Sequence, residues 1–259
     1  MTQFHRLQIL VGELGLKKLA AAKVLLLGVG GVGSWCAEAL IRNGIGHLEI
    51  VDSDLVCITN INRQLQALHS TVGKSKVEVL AERLRDIHPK ATIIAHNKVY
   101  NHDTADDFNL TEYDFIVDAI DSLACKVELL DRALRTDVPI VSSMGASCKL
   151  DPTQIQVTSF WKTHGCPLAK FVRKRLRHRQ VSRDFVCVFS PENLPPYPSS
   201  IACGSGKCVC PATADGAAAH EWCSHKAKIN GSAIHITGIF GFHLASVVTN
   251  RILNAELAD

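Results

Sequence analysis

The chain has 259 residues, 47% hydrophobic and 20% charged, which excludes a disordered chain because enough apolar surface is present for a core. Its formal net charge of +3 does not by itself indicate an anionic partner. The positive charge is concentrated, however: seven basic residues and no acidic one lie between positions 166 and 183, and without them the balance is 3 − 7 = −4. The basic surplus is therefore local, and the rest of the chain is mildly acidic.

The N-terminus, the late apolar stretch and the single cysteines bear on the compartment. Residues 1–18 contain neither the apolar run nor the cleavage site of a secretory signal. Polar residues interrupt the apolar stretch at 233–253, which fits a buried helix better than a membrane span. We expect a cytoplasmic protein with no transmembrane span, and peripheral contact with a membrane is the alternative. Six cysteines stand singly, as is typical of free thiols in a reducing compartment: Cys36, Cys57, Cys125, Cys148, Cys166 and Cys187.

Short apolar runs alternate with segments of helical periodicity through the first 150 residues. Uninterrupted apolar runs such as 23–28 are typical of strands that are covered on both faces. Alternating strands and helices of this length predict an α/β fold with a doubly wound, mostly parallel, Rossmann-like sheet. The predicted strands are 23–28, 47–52, 91–96, 115–118 and 139–143, and the predicted helices are 34–43, 72–87 and 125–135.

The pattern changes after residue 150. Segment 154–160 is predicted to add an antiparallel strand, and a basic helix at 169–179 and a loop rich in Pro, Gly and Cys follow it. We find no internal repeat and no flexible linker. The sequence therefore predicts one domain, with a nucleotide-binding half at 1–150 and an elaboration at 151–259 that ends in a C-terminal helix.

A glycine-rich turn follows the first predicted strand and opens the first predicted helix, with Gly28, Gly30, Gly31 and Gly33. Glycine suits this turn because the backbone must bend tightly and approach a phosphate, whose charge the helix N-terminus stabilises. Asp52 ends the next strand, where a carboxylate can accept hydrogen bonds from ribose hydroxyls. The pattern predicts a nucleotide site without saying which nucleotide. A turn that only packs helix on strand is the alternative.

Charged residues that follow the turn indicate a triphosphate rather than a nicotinamide cofactor. Arg63 lies in segment 59–64 and Lys76 in segment 72–78, and fixed cations of this kind neutralise a triphosphate as pyrophosphate leaves. Asp118 and Asp121 end a later strand at the same predicted sheet edge, where carboxylates can hold a magnesium ion that bridges phosphate oxygens. Taken singly, each residue is as readily a surface charge or a helix cap.

Together these motifs resemble the ThiF/MoeB/ubiquitin-activating adenylyltransferase family, and the resemblance covers almost the whole chain. It implies that family's doubly wound adenylation fold and a reaction in which MgATP adenylates a carboxylate. Arg6 matches an N-terminal arginine that reaches the ATP site of the partner subunit, which implies a homodimer, while Gln3 stands where the family has a preceding arginine. The resemblance implies catalytic roles for Arg6, Arg63, Lys76 and Asp121. The nucleotide-binding set that it implies is Gly28, Gly30, Gly31, Gly33, Asp52, Asp54, Asn60, Arg63, Gln64, Lys76 and Asp121, the last with magnesium.

Within that family the chain most resembles the tRNA threonylcarbamoyladenosine dehydratases, through segments 44–48, 60–73, 86–89, 149–153, 167–169 and 239–241. Cys166 departs from the group, which usually has an aspartate there. The resemblance implies adenylation of the threonylcarbamoyl carboxylate of t6A at tRNA position 37 and its closure to cyclic t6A, with ATP cleaved to AMP. It also implies a tRNA partner, companion proteins of sulfur transfer, and a monovalent cation beside Mg²⁺.

The basic helix is the predicted contact with that tRNA. Apolar residues recur every four positions at 168, 172 and 176, so the segment can present one apolar and one basic face. A basic face of this kind suits contact with a phosphate backbone, whereas a solvated or internally paired face is the alternative. Aromatic residues are few in the segment, so the sequence indicates no stacking platform. The predicted tRNA contacts are Lys170, Arg173, Lys174, Arg175, Arg177 and Arg179.

Four cysteines cluster near the C-terminus: Cys203, Cys208, Cys210 and Cys223. Their spacing permits a tetrahedral four-thiolate zinc site, although the two CxxC pairs of many relatives are absent. A loop of unpaired thiols and a redox pair are the alternatives.

Two other functions remain open at this point. One is activation of a ubiquitin-like sulfur-carrier protein for thiamine or molybdopterin synthesis, which needs a cleft for a Gly-Gly tail and no basic helix. The other is a redox protein that binds a dinucleotide, which the presence of both Arg63 and Lys76 near the predicted nucleotide site disfavours.

Overall fold

The structure is a computed structural model that describes residues 2–195 and 230–254. Within these residues the chain forms seven strands and six α-helices. The strands are β1 (Lys23–Leu27), β2 (His47–Val51), β3 (Thr92–His96), β4 (Phe115–Asp118), β5 (Ile140–Ser143), β6 (Gln156–Ser159) and β7 (Val186–Phe189). The helices are α1 (His5–Ala21), α2 (Gly33–Arg42), α3 (Lys76–Ile87), α4 (Leu123–Ala133), α5 (Pro167–His178) and α6 (Ile234–Leu253).

All seven strands belong to one sheet, in the order β3-β2-β1-β4-β5-β7-β6. Neighbouring strands are parallel except for β6 and β7, which pair antiparallel. This confirms the predicted doubly wound sheet with an antiparallel addition in the C-terminal part. The chain runs from β1 outward to β3 and then returns to β4 on the other side of β1. That reversal is the topological switch point, beside which open sheets of this kind bind their ligands.

Two elements were not predicted from the sequence, helix α1 and strand β7. In α1, Gly12 has a φ of +74° and interrupts the helix, and the apolar residues of α1 are largely exposed, so the segment lacks a clear amphipathic period. Strand β7 has four residues and lies between β5 and β6, where its Cys187, Val188 and Phe189 are fully buried. No sequence pattern sets β7 apart, and its pairing with β5 and β6, both earlier in the chain, defines it.

The sheet separates two apolar layers, and β1 contributes to both. Val24 and Leu26 face the layer that holds α2, α3 and α6, whereas Leu25 and Leu27 face the layer that holds α4 and α5. All four side chains are fully buried, as alternation along a strand covered on both faces requires. Strand β1 is therefore the centre of the fold, and the loop that leaves its end is held between the two layers.

Helix α6 has the length and composition of a membrane span, but half of its most apolar stretch is buried inside the fold. It packs chiefly against α2. Ile236, Phe240 and Leu244 are fully buried in the same apolar layer as α2. Within the described part of the chain, α6 therefore has the character of a core helix, as its sequence indicated.

A buried carboxylate, Glu49, links three strands on one face of the sheet. Its side chain, in a residue that is 6% exposed, accepts hydrogen bonds from His96 Nε2 (2.7 Å), His47 Nε2 (3.0 Å) and the Tyr113 hydroxyl (3.0 Å), and Lys23 Nζ lies 3.5 Å away. Burial by itself would raise the pKa of Glu49, but these donors outweigh it and lower the pKa to about 2. The ionised form of Glu49 therefore stabilises the folded state.

We expect Glu49→Gln to lower the free energy of unfolding by about 2–3 kcal/mol at pH 7. The pKa of Glu49 is lower in the folded chain than its ordinary value of 4.5, so its contribution is complete above pH 4.5 and disappears as pH falls toward 2. Urea unfolding at pH 7 and pH 3 measures both effects. Glu112→Gln is the control, because Glu112 is exposed and its carboxylate contacts the side chains of Lys23 and Asn109 at the surface. Equal losses in the two variants at pH 7 would contradict the assignment.

Candidate adenylation site

The carboxyl ends of β1, β2 and β4 bring the predicted site residues to one edge of the sheet. The glycine turn leaves β1, Asp52 and Asp54 follow β2, and Asp121 follows β4. Strands β2, β1 and β4 are adjacent and parallel, so the residues that follow their ends are neighbours in space. The structure therefore brings these predicted residues together at the switch point of the sheet.

The glycines of the turn serve two different purposes. Gly28 has a φ of +87°, and a Cβ there would lie 2.7 Å from the Ala119 carbonyl oxygen. A Cβ on Gly33 would lie only 1.8 Å from the Gly28 carbonyl oxygen, so both positions require glycine for the fold. A Cβ on Gly30 meets nothing closer than Gln64 Nε2 at 3.8 Å, so Gly30 borders open space instead. Gly30 is the glycine that allows a ligand to approach the backbone.

We expect Gly30→Ala to fold normally and bind ATP more weakly, by about tenfold, because its methyl group would occupy the space that a phosphate needs. Gly33→Ala should instead lose stability together with ATP binding, since its methyl group collides with backbone. Calorimetric ATP titration and thermal unfolding of both variants separate the two effects. Unchanged ATP affinity in Gly30→Ala would show that the phosphates lie elsewhere.

The C-terminal helix forms one wall of the glycine turn. A Cβ on Gly31 would lie 3.2 Å from Thr237 Cγ2, and Thr237 belongs to α6. One helical turn later, a Cβ on Gly241 would lie 2.6 Å from the Val32 carbonyl oxygen, so α6 crosses the turn at close range. The glycine turn after β1 and the last helix of the described chain therefore shape the site together.

Two side chains, Asp52 and Gln66, hold the glycine turn by hydrogen bonds to its backbone. Asp52 Oδ2 accepts the Val29 amide at 2.8 Å and its Oδ1 accepts the Asp54 amide at 2.9 Å. Gln66 Nε2 donates to the Val29 carbonyl at 2.7 Å, so the Val29 residue is held on both its N–H and its C=O. Asp52, predicted as a ribose ligand, thus also fixes the turn, and its carboxylate oxygens keep lone pairs for a ribose. Gln66 was missed by the sequence analysis, since no motif marks it.

Lys76 is a buried ammonium group at the first turn of α3. Its Nζ lies 2.7 Å from Asp54 Oδ2, and its backbone amide donates to the Asp54 carbonyl at 3.0 Å. Burial alone would lower the pKa of Lys76, but Asp52 and Asp54 outweigh burial and raise it. Lys76 therefore stays charged, as neutralising a phosphate requires.

The charges of Arg63 and Asp121 attract each other in the site. Arg63 Nη1 donates to the Thr59 carbonyl at 2.8 Å and to Asn62 Oδ1 at 3.0 Å. Burial lowers the pKa of Arg63, and the negative charge of Asp121 opposes that shift. Asp121 itself is exposed and also raises the pKa of Lys76. One exposed carboxylate beside two cations fits a magnesium ion that is held mainly by phosphate oxygens.

Two amide side chains line the loop between Asp54 and α3. Asn60 Oδ1 accepts the Cys57 amide at 3.0 Å and so shapes the loop, a role that the prediction of a triphosphate contact did not include. Gln64 is buried beside Gly30, and its Oε1 has no hydrogen-bond partner within the described residues. Buried polar atoms are almost always paired, so an unpaired acceptor at this point is suited to a ligand that donates a hydrogen bond.

Asp118 does not lie open to a magnesium ion, contrary to what the sequence indicated for both acids of this strand end. It is fully buried, with Lys126 Nζ 2.5 Å and the Ser142 hydroxyl 2.5 Å from its Oδ2, and its Oδ1 accepts the Ile120 amide. Lys126 also donates to the Ser143 carbonyl at 2.9 Å. This buried ion pair joins β4, α4 and β5 beneath the site, and of the two acids only Asp121 is exposed.

Arg6 lies at the opposite edge of the sheet from this site. Two residues before it, the Phe4 ring packs edge-on against His88, with 4.8 Å between the ring centroids. The same ring lies beside Gly44, where a Cβ would be 3.7 Å away from it. His88 and Gly44 follow the C-terminal ends of α3 and α2, the ends remote from the glycine turn. Since α2 is about 15 Å long, Arg6 does not reach the ATP site of its own chain.

The basic helix α5 packs on α4 through its apolar face, with Val172 and Leu176 fully buried as predicted. Two of the predicted tRNA contacts have hydrogen-bond partners within the chain, and the guanidinium of a third, Arg177, lies 5.5 Å from the centroid of the Trp161 ring. Arg173 donates to the Thr163 carbonyl at 2.6 Å, and Arg179 Nη1 lies 2.8 Å from Glu128 and 3.0 Å from Asp131. The remaining predicted contacts are exposed: Lys170, Lys174, Arg175 and Arg177.

The predicted zinc ligands Cys203, Cys208, Cys210 and Cys223 lie outside the described residues, so that site stays a prediction. In residues 2–195 and 230–254, no three His, Cys, Asp or Glu side chains are grouped to hold a metal ion. Of the single cysteines, Cys36, Cys125, Cys148, Cys166 and Cys187 are free thiols, as predicted, and all of these except Cys148 are buried.

Comparison with known proteins gives a consistent result over nearly the whole chain. A profile of the ThiF family matches residues 4–250. The tRNA threonylcarbamoyladenosine dehydratase of Bacillus subtilis is 44% identical over 191 residues, which are 74% of this chain and 75% of that protein. The protein of the same name from Escherichia coli is 38% identical over 251 residues, which are 94% of this chain and 91% of that protein.

A solved structure matches the fold over both halves of the chain. It is the crystal structure of the Escherichia coli tRNA N6-threonylcarbamoyladenosine dehydratase TcdA in complex with ATP. The TM-score is 0.82 at 34% sequence identity, and the match covers 98% of this chain and 95% of that chain. The likeness therefore extends past residue 150 and includes the part of the chain that carries the basic helix.

Proposed function

The chain belongs to the ThiF family, and on that premise we propose that it is an ATP-dependent tRNA threonylcarbamoyladenosine dehydratase. The observation that carries the proposal is the site at the switch point, where Lys76, Arg63 and Asp121 surround an open stretch of glycine backbone. The whole-length likeness to dehydratases of that name supports this substrate over a sulfur-carrier protein.

In the proposed reaction the ATP phosphates lie along the glycine turn, with Gly30 at the closest approach. A carboxylate oxygen of the threonylcarbamoyl group attacks the α-phosphorus, forms an acyl-adenylate and breaks the bond to the β-phosphate. Lys76 and Arg63 stabilise the negative charge that collects on the leaving pyrophosphate. Asp121 would hold Mg²⁺, which when bound supplies further charge neutralisation.

Ring closure then needs no outside nucleophile. A nitrogen or oxygen of the modified base attacks the acyl carbon of the adenylate, AMP leaves, and the nucleophile loses its proton. The sum of the two steps is loss of one water from the substrate and conversion of ATP to AMP and pyrophosphate. The role of the protein is to hold the acyl-adenylate and the base together while water is excluded.

We further propose that the active enzyme is a homodimer in which α1 contacts a second copy. Ile9, Leu10 and Leu14 of α1 are 75%, 81% and 62% exposed, an apolar face that a monomer rarely leaves in water. Arg6 lies on the same helix and at the edge remote from its own ATP site, which supports the expected role in the partner's site. On this proposal residues 1–259 act as one adenylation domain in the cytoplasm.

Leu10→Glu should convert the dimer to a monomer and reduce adenylation about tenfold or more, because it places a charge in the apolar contact and withdraws Arg6. Light scattering coupled to size exclusion measures the mass, and pyrophosphate exchange measures adenylation. Lys98→Glu serves as the control, since it reverses a charge in an exposed ion pair with Asp107 that lies after β3 and away from α1. A monomeric wild-type chain with full activity would refute the dimer proposal.

The test of the proposed function is ATP–pyrophosphate exchange with two candidate substrates. We expect exchange with tRNA that carries t6A and none with unmodified tRNA or with a sulfur-carrier protein that ends in Gly-Gly. Mass spectrometry of the digested tRNA should show the loss of one water from t6A. Exchange that only the carrier protein stimulates would replace this function by sulfur-carrier activation.

A further inference from the structure

A cavity of about 550 Å³ opens between the start of α4 and the exposed side of α5. It is lined by Leu123, Phe171, Lys174, Arg175 and His178. The four residues from α5 are spaced at i, i+3, i+4 and i+7, so they form one stripe along the helix. This stripe is separate from the buried apolar face that attaches α5 to α4.

Phe171 is the unusual member of the stripe. It is 53% exposed, although Ala169, Val172 and Leu176 already hold the helix against the fold. Phe171 also lines a second cavity of about 430 Å³, with Lys170 and Arg173 among its neighbours, so the ring stands between two open spaces. A large aromatic ring left accessible between cations is suited to stacking against a flat, anionic ligand.

The charges around the ring favour a phosphate. Arg173 and Arg179 of the same segment are held by Thr163 and by Glu128 and Asp131, and neither lines the 550 Å³ cavity. Lys174 and Arg175 do line it, both are exposed, and the lining given by the described residues includes no acidic side chain. The cavity thus combines an aromatic surface with a positively charged lining, the two features by which proteins bind single-stranded nucleic acid.

The cavity lies beside the adenylation site. Leu123, on its wall, is two residues after Asp121, and two Cα–Cα steps span at most about 7.6 Å. A nucleotide in the cavity would therefore be a close neighbour of the group that is adenylated.

We propose that this cavity binds a nucleotide adjoining the modified adenosine of the RNA substrate. Its base stacks on Phe171, and Lys174 and Arg175 hold its phosphate. This proposal rests on the proposed function and extends it, because it makes Phe171 a substrate-binding residue that positions the neighbouring adenosine at Asp121. The sequence alone indicated no stacking platform, since a single phenylalanine in a basic helix does not reveal its exposure.

The test measures binding of a fluorescein-labelled anticodon stem-loop RNA that carries t6A, by anisotropy at several salt concentrations. Phe171→Ala should raise Kd about tenfold without changing the slope of log Kd against log salt, because stacking releases no counterions. Lys174→Ala should instead lower that slope by about 0.7–0.9, the loss of one phosphate contact. Phe171→Trp should bind as tightly as the wild type, and Ile94→Ala, an exposed apolar residue on edge strand β3, should change nothing.

Stacking itself is read out with 2-aminopurine placed in turn on each side of the modified adenosine. Its fluorescence should be quenched on binding to the wild type and to Phe171→Trp but not to Phe171→Ala. Wild-type Kd and quenching in Phe171→Ala would overturn the proposal while leaving wild-type cyclisation, and so the proposed function, intact. A change of oligomeric mass in Phe171→Ala would also overturn it, since Phe171 would then contact another copy of the chain. Absence of exchange by the wild type with t6A-tRNA would refute the proposed function instead.

Discussion

Asp121→Asn should lower the rate of adenylation at least about a hundredfold while the chain remains folded. Asp121 is exposed three residues after the end of β4, and within residues 2–195 and 230–254 its side chain makes no hydrogen bond to a neighbouring element. Its charge, however, acts on both Arg63 and Lys76, the two cations of the phosphate site. Removing that charge should leave the shape of the site unchanged and would deprive the proposed magnesium ion of a protein ligand.

Pyrophosphate exchange over a range of magnesium concentrations measures this effect, with thermal unfolding as the check on the fold. Activity that returns partly at high magnesium would support a metal-binding role, because weaker binding can be offset by mass action. Asp131→Asn is a matched control on the far part of α4, where the carboxylate pairs with Arg135 and Arg179 instead of facing the site. Full activity of Asp121→Asn would exclude Asp121 from the reaction.

Lys126→Met should destabilise the chain by about 3–5 kcal/mol, the largest stability loss that we expect from a single substitution here. Both Lys126 and Asp118 are fully buried, and Lys126 also supplies hydrogen bonds to Ser142 and to the Ser143 carbonyl. Without the ammonium group, the Asp118 carboxylate would be left buried with no counter-charge. Denaturant unfolding of the purified variant measures the loss.

The double variant Asp118→Asn with Lys126→Met provides the control for that experiment. It removes both charges, so much of the lost stability should return, since an unpaired buried charge costs more than the pair contributes. If the double variant were less stable than Lys126→Met, the ion pair would not be the reason for the loss.

The parts of the site that the sequence predicted are those that depend on local backbone requirements. Gly28 and Gly33 are recognisable because no other residue fits where a Cβ would meet carbonyl oxygens, and such a requirement leaves its mark within six residues of sequence. Strand β4 was predicted with its bounds because an apolar run covered on both faces ends at an acid. Local sequence therefore predicts the turn and the strands that position it.

The parts that escaped prediction depend on partners far along the chain. From its sequence Asp118 was predicted as a metal ligand, whereas in the structure its carboxylate contacts Lys126 and Ser142. Gln66 reads as an ordinary loop residue until its amide is seen on Val29, which is 37 residues earlier. Strand β7 is defined by its pairing with β5 and β6 on each side of it, both of which lie earlier in the chain. In each case the decisive contact is long-range, and no spacing rule records it.

The crossing of α6 over the glycine turn has a consequence for where the enzyme can be divided. All the residues predicted to bind phosphate lie before position 150, so a fragment that stopped there would retain each of them. It would nevertheless lack Thr237 and the backbone of Gly241, which confine Gly31 and Val32 from outside. The first half of the chain thus contains the residues predicted to bind phosphate, while helix α6 fixes the backbone conformation of the glycine turn. We therefore expect the nucleotide site to need both halves of the chain, and a fragment of residues 1–150 not to form it alone.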